Sequence, residues 1–203
     1  MPDNITDNRI TAIACSVFRS ELQSLSQQGL ITFPIRFLNS HLHMNPEKLH
    51  ELMARFIQKE CSQGFRVLLI YGDCHANMQE LEADKCISRV KAVSCGQLLL
   101  GKQRYKEMIK SGAFLLFPEW ISRWRNILLR FPGLDPETGK EMLRQMHSRF
   151  VYLNTGTCAV PYDTLKQCGE FFNLPYEIEE VSLELMLALI RESLAKFDSE
   201  GQT

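Results

Sequence analysis

The sequence predicts an α/β protein with a mostly parallel sheet covered by helices on both faces, Rossmann-like in kind. Two observations carry this. Short apolar runs alternate with stretches of helical periodicity along nearly the whole chain, the pattern of repeated strand–helix–strand units. The runs are also continuously apolar for four to six residues rather than apolar at every second position, as strands buried on both faces are. Strand order does not follow from either observation.

In chain order, residues 10–14 read as the first strand, and the apolar spacing at 17, 18, 22 and 25 as a helix. Residues 33–38 form the second strand. Asn45-Pro46-Glu47 then places a capping side chain and a proline where a helix starts, and Leu49, Leu52, Met53, Phe56 and Ile57 line one face of that helix. Gly64 closes it, 67–71 is the third strand and 76–81 a short helix. A strand at 87–93 leads to a helix at 97–109, which Ser111-Gly112 stops. After a strand at 113–117, Pro118 opens a helix carrying Trp120, Ile121, Trp124 and Ile127 on one side. Residues 136–146 are helical and polar, 150–153 a strand, 162–172 a helix, 176–178 a short strand and 183–196 a last helix. The expected organisation is one domain over 1–203, with 131–138 as the place where two lobes would divide.

Size and composition narrow the functional classes. At 203 residues, 45% hydrophobic and 23% charged, the chain can bury a core without staples. A net charge of -1 supplies no polyanion-binding surface, so nucleic acid is not an expected partner. No apolar stretch approaches the ~20 residues that span a bilayer, and the N-terminal residues lack the basic and apolar regions of a signal peptide. The expectation is a cytoplasmic protein with no membrane partner and reduced thiols.

The seven cysteines then become informative. Cys15, Cys74 and Cys95 each follow an apolar run, at Ala14-Cys15, Asp73-Cys74 and Ser94-Cys95. In a parallel sheet all strand C-terminal ends share one edge, where open α/β proteins bind ligands. The strand ends add His43, from the segment Asn39–Met44, then His75 and, in the last strand-to-helix turn, Cys158. Thiolate and imidazole are ligands of zinc, and thiolate is the ligand of iron–sulfur clusters. No C-x-x-C occurs, so a structural zinc knuckle is not indicated. Cys61, Cys86 and Cys168 lie within helices or strands and read as packing residues, the common role of a buried free cysteine.

Other edge residues have a functional and a structural reading. Gly72 lets backbone come close to a ligand or to another loop. Glu119 follows the fifth strand as a ligand or acid, or as a charge favoured in a first helical turn. Trp120, a turn before Trp124, walls a flat cofactor pocket or packs in the core. Thr155-Gly156-Thr157 cradles an anion or simply makes a tight turn. Neither G-x-G-x-x-G nor G-x-x-x-x-G-K-[ST] is present, which leaves nucleotide binding without positive support.

Several segments together resemble a known family: Tyr71-Gly72-Asp73-Cys74, Cys95-Gly96-Gln97-Leu98-Leu99-Leu100-Gly101 with Arg104-Tyr105, and Phe117-Pro118-Glu119-Trp120-Ile121. They are similar to the domain of unknown function 1638 family, as are Ala14-Cys15 and Leu42-His43 with Pro46, over residues 10 to 185. Ser94 and Val93 stand where that family usually has aspartate and histidine, and Phe117 where it has threonine. The resemblance carries no established activity. Some members are encoded beside corrinoid-dependent methyl-transfer systems, which implies a corrinoid or methyltransferase protein as partner and a small-molecule, thiol substrate. The function expected is therefore a metal- or metallocluster-binding protein. Zinc or an iron–sulfur cluster would be held by Cys15, Cys74 and Cys95, with His43, His75 or Cys158 in support, for one-carbon transfer to a thiol. The rival expectations are a metal-free binding protein whose cysteines pack, and a thiol redox enzyme using Cys74.

Overall fold

A computed structural model describes residues 9–74, 78–129 and 135–200. The chain forms two compact units, Met1–Leu99 with Leu183–Thr203, and Leu100–Ser182. The segment 131–138 lies inside the second unit. Each unit is α/β with its own sheet, and every strand pairing is parallel.

The first unit holds β1 (Ile10–Cys15), β2 (Ile35–Leu38), β3 (Arg66–Ile70) and β4 (Ile87–Arg89), in the order β2-β1-β3-β4. β1 is buried at all six positions and β3 at its last four, which is why both read as unbroken apolar runs. The winding reverses between them. The chain steps from β1 outward to β2, then returns to place β3 on the other side of β1. Such a switch point opens a crevice beyond the strand ends, because the flanking connections leave in opposite directions.

Helices follow from local chemistry. α1 (Arg19–Gln27) buries Leu22 and Leu25. α2 (Pro46–Ser62) starts where Asn45 Oδ1 accepts from the Lys48 N–H at 3.1 Å and Pro46 takes the first turn, and it buries Leu49, Met53 and Ile57 at four-residue spacing. α9 (Glu184–Glu200) closes the unit against β3 and β4. Ser88 Oγ donates to Ser193 O at 2.7 Å, and Ser193 Oγ lies 3.2 Å from Arg89 O. These bonds fasten the last helix to an edge strand that would otherwise be open.

The second unit contains β5 (Ala113–Leu116), β6 (Arg149–Asn154) and β7 (Tyr176–Glu180) in sequential order β5-β6-β7. Its core brings Leu116, Trp124 and Leu143 together with Phe150, Tyr152, Leu165, Cys168 and Phe172. α7 (Pro136–Met146) and α8 (Tyr162–Phe172) contribute Leu143 and Leu165 to it. The outer strand β7 carries Glu177, Glu179 and Glu180. Arg149 Nε meets Glu177 Oε2 at 2.8 Å, and Arg104 meets both Glu179 oxygens at 2.8 and 2.9 Å.

All seven expected strands are present, some shorter than predicted, and two local expectations change. The helix expected at 97–109 is α4 (Cys95–Lys110), interrupted at Gly101, whose φ of 75° and ψ of 167° suit glycine alone. The Pro118 helix is two pieces, α5 (Pro118–Ile121) and α6 (Trp124–Leu128), because Arg123 leaves helical geometry at φ -138°, ψ 34°. Of the short helix at 76–81, Met78–Leu81 is helical and residues 75–77 lie outside the described residues.

The largest change concerns Cys61 and Cys86, which are not packing residues but form a disulfide, with Cα atoms 6.2 Å apart. The strand β4 begins directly after Cys86, beside β3, and α2 feeds β3, so the topology delivers both cysteines to one place. The expectation of uniformly reduced thiols does not hold for this pair. Cys168 is buried in the second core as expected, and burial pushes its thiol up to about 12. Titration of the unfolded, unreduced protein with a thiol reagent should count five thiols, and seven after reduction. Because the bridge spans 25 residues, removing it with Cys61→Ala and Cys86→Ala together should cost about 3.5 kcal/mol on the loop-entropy scale, seen as a lower urea midpoint.

Candidate functional site at the edge of the four-stranded sheet

The end of β1 and the segments that follow β3 and β4 carry Cys15, Cys74 and Cys95, near enough for Cys15 and Cys74 to shift the ionisation of Cys95. Cys15 is the last residue of β1. The parallel register pairs Ala14 with Ile70, so the next positions, Cys15 and Tyr71, stand side by side at the switch point. Cys74 follows β3 in a tight turn in which its N–H donates to Gly72 O at 2.9 Å. Cys95 opens α4, one residue after Ser94, whose hydroxyl accepts from the Gln97 N–H at 3.1 Å; the Gln97 side chain in turn accepts from the Val93 N–H at 2.7 Å. This reciprocal pair, serine followed three residues later by glutamine, is a capping box in type and fixes where the helix starts.

Gly72 is what allows the turns after β3 and β4 to meet. A Cβ at position 72 would lie 2.6 Å from Ser94 Cα and 2.7 Å from Ser94 N, distances that no side chain tolerates. The Asp73 N–H also donates to Val93 O at 3.2 Å. From below, Arg89 holds the turn: its guanidinium donates to Asp73 Oδ1 at 2.6 Å and to Glu82. The glycine reading that the structure supports is thus the close approach of two backbones, which sets Cys74 against Cys95.

The electrostatics follow from that contact. Cys95 is within hydrogen-bonding reach of both other thiols and is the middle member of the trio. Losing its proton would break bonds to Cys15 and Cys74, so its thiol is held well above the ordinary range, with burial adding to the effect. Cys74 moves the other way. Donation from Cys95 lowers it first, with help from the Gly72 backbone and Arg89, against burial and the Asp73 charge. Of this pair Cys74 is the thiol that ionises more readily, and it is only partly buried, as a reactive thiol must be. Tyr71 completes the edge. It is 2% exposed, burial and then the three thiols push its phenol upward, and its Oη has no hydrogen-bond partner among the described residues. A buried hydroxyl left unpaired costs about 1–3 kcal/mol.

The remaining expected residues are placed differently. His43 is in the first unit, exposed after β2, and its Nδ1 contacts Ser40 O. His75 lies outside the described residues. Cys158, Glu119 and Trp120 belong to the second unit. Cys158 is exposed, 3.7 Å from Tyr152 Oη. Glu119 pairs with Arg123 one helical turn on, and Trp120 packs edge-on to Phe117 with ring centroids 5.0 Å apart, while Trp124 packs on Phe171 and Phe172. The tryptophans do not share a face, because the helix breaks between them. In the Thr155 turn, Thr155 and Thr157 hydroxyls meet at 3.0 Å and Asn154 donates to both Glu180 oxygens at 3.0 and 2.9 Å. Among the described residues no group of three or more His, Cys, Asp or Glu side chains is disposed as it stands to hold a metal ion. No helix in them is long and apolar enough to cross a membrane.

Sequence reasoning passed over Tyr71 as a site residue, although a polar tip ending an apolar run just before Gly72 is a legible signal. Its hydroxyl has to go somewhere at the strand end.

A sequence profile described as protein of unknown function (DUF1638) matches residues 37–190, and the chain belongs to that family. No curated protein and no solved structure matches it.

Two outcomes check this geometry. The rate of Cys74 alkylation by iodoacetamide should rise through an inflection below that of a free thiol. Cys95→Ala should move that inflection upward, since the thiolate loses its donor; an unmoved inflection would detach Cys95 from Cys74. Gly72→Ala should cost about 1–3 kcal/mol of stability, as overpacking against backbone does, measured by denaturant unfolding.

Proposed function

We propose that this DUF1638 family member binds a soft metal centre, zinc or an iron of an iron–sulfur cluster, through Cys15, Cys74 and Cys95. The observation that carries the reading is that three thiols, from the end of β1 and from the segments after β3 and β4, influence one another at one edge of the first sheet. Three sulfur donors suit such a centre and leave one position for a substrate, the pattern of catalytic rather than structural sites. Binding then exchanges thiol protons for a cation.

A bound metal of this kind would lower the pKa of a substrate thiol at the open position. The chain's own residues hold the centre, set its charge and wall it from water on the Cys15 side, which is buried. Thiol activation for one-carbon transfer, with a corrinoid or methyltransferase protein supplying the methyl group, is the use we propose for it. A cytoplasmic location accords with this use. His43, His75 and Cys158 are not needed for the three-sulfur set.

The lowered Cys74 beside Cys95 favours a second reading, a dithiol that closes to a disulfide when an oxidant takes two electrons and two protons. Anaerobic purification followed by metal analysis and absorption spectroscopy separates the two. About one zinc per chain, or iron with a visible band, is the expected result, and Cys74→Ser should lose it while the fold is kept. A metal-free, colourless protein that loses two thiols on mild oxidation would replace the metal reading with the dithiol one.

A further inference from the structure

We propose that the Cys61–Cys86 bridge is a reversible dithiol–disulfide switch that acts, through β4, on the contact between the turns after β3 and β4. The bridge and that contact lie at opposite ends of the first sheet. Cys61 is in the last turn of α2, ahead of β3, and Cys86 directly precedes β4. Gly72, Asp73 and Ser94 follow the other ends of the same two strands. β4 joins the two places, and it is short: Ile87–Arg89 spans about 10 Å at the usual strand rise.

Three residue pairs hold this edge strand to β3, Val67 with Ile87, Leu68 with Ser88 and Leu69 with Arg89. So short a ladder opens easily when nothing else restrains it. Its far end carries the turn contact. Arg89 grips Asp73 at 2.6 Å and also Glu82, the Val90 N–H donates to Leu69 O at 3.1 Å, and Val93 O accepts from the Asp73 N–H at 3.2 Å. With the bridge closed, the Cα atoms of Cys61 and Cys86 stay 6.2 Å apart, so β4 leaves β3 only if α2 leaves as well. With the bridge open, β4 keeps its three pairs and the Ser88 and Ser193 bonds, and loses its tie to α2. Each opening of β4 then carries Arg89 and Val93 away from Asp73 and breaks the contact that Gly72 permits.

Two observations make the bridge a switch. Both cysteines are partly exposed, so the thiolate of a reductant reaches a sulfur. The backbone at each is also bonded independently of the sulfurs: the Gly64 N–H donates to Cys61 O at 3.0 Å and the Val67 N–H to Cys86 O at 2.8 Å. The reductant is a dithiol. It hands two electrons and two protons to the bridge, whose S–S bond becomes two S–H groups, and closes to its own disulfide; a disulfide oxidant reverses the exchange. The inference does not depend on what the three site thiols hold.

The test is native-state amide hydrogen exchange on the full chain, comparing Val90 and Asp73 with Ala12, whose N–H donates to Pro34 O in the middle of the sheet. Dithiothreitol should raise the exchange of Val90 and Asp73, relative to Ala12 in the same sample, at least about 10-fold, because β4 gains an opening of its own while β1 opens with the whole unit. Glutathione disulfide should restore the first ratio. The double variant Cys61→Ser with Cys86→Ser should show the reduced ratio with and without dithiothreitol. If reduction speeds all three amides together and leaves the ratio unchanged, the bridge is a staple of the whole unit and the proposal is overturned. A bridge that dithiothreitol leaves closed in the native protein overturns it too. So does a double variant that keeps the oxidised ratio, or one whose ratio still answers to dithiothreitol, the last by placing the response in the other thiols.

Discussion

The pairing of β1 with β3 is the constraint on which the first unit depends. These two strands run parallel in register from Ile10 against Arg66 to Ala14 against Ile70, and their buried residues form the middle of the sheet. Every other feature of the edge is set from this pair. It places Cys15 beside Tyr71, puts the winding reversal between them, and sends the β3 turn towards the turn that follows β4. Parallel pairing needs a long crossover, so residues far apart in the chain are forced to end at one place. The second sheet, built in sequential order, has no such reversal.

Close backbone approach then converts a shared edge into a chemical group. With Gly72 against Ser94, Cys74 and Cys95 fall within reach, and their titrations cease to be independent. One proton is favoured where two sulfurs compete, much as a pair of carboxylates divides its ionisation between an early and a late group. Arg89 contributes twice, tying Asp73 to Glu82 and adding positive charge that favours a thiolate on Cys74. The unpaired Tyr71 hydroxyl fits this picture, since functional edges are where proteins retain polar groups that the fold itself does not satisfy.

The disulfide and the thiol trio show that one residue type has three fates in this chain. Cys61 and Cys86 are bonded, Cys168 is inert core, and Cys15, Cys74 and Cys95 face one another. Local context separates them poorly. Cys61 sits in a helix and Cys86 just before a strand, positions that look like packing until α2 and β4 are placed on β3. Bridging depends on Cα separation and on the direction of two side chains, neither of which is local.

By itself the sequence determined the alternation of strands and helices and the parallel pairing, because burial on both faces writes an unbroken apolar run and each run ends where the chain meets water; it put Cys15 at a strand end, whereas β4 stops at Arg89 and Cys95 opens the helix that follows. It also marked the helix starts at Asn45-Pro46 and the breaking role of glycine. Only the tertiary structure decided which strands are neighbours, and therefore that the chain divides into two sheets. Strand order is a matter of which apolar faces meet, and faces of similar composition are interchangeable in sequence. The break between Trp120 and Trp124, the Cys61–Cys86 bond, the contact that Gly72 permits and the unpaired hydroxyl of Tyr71 likewise arise from distances between residues far apart in the chain, which periodicity and composition do not record.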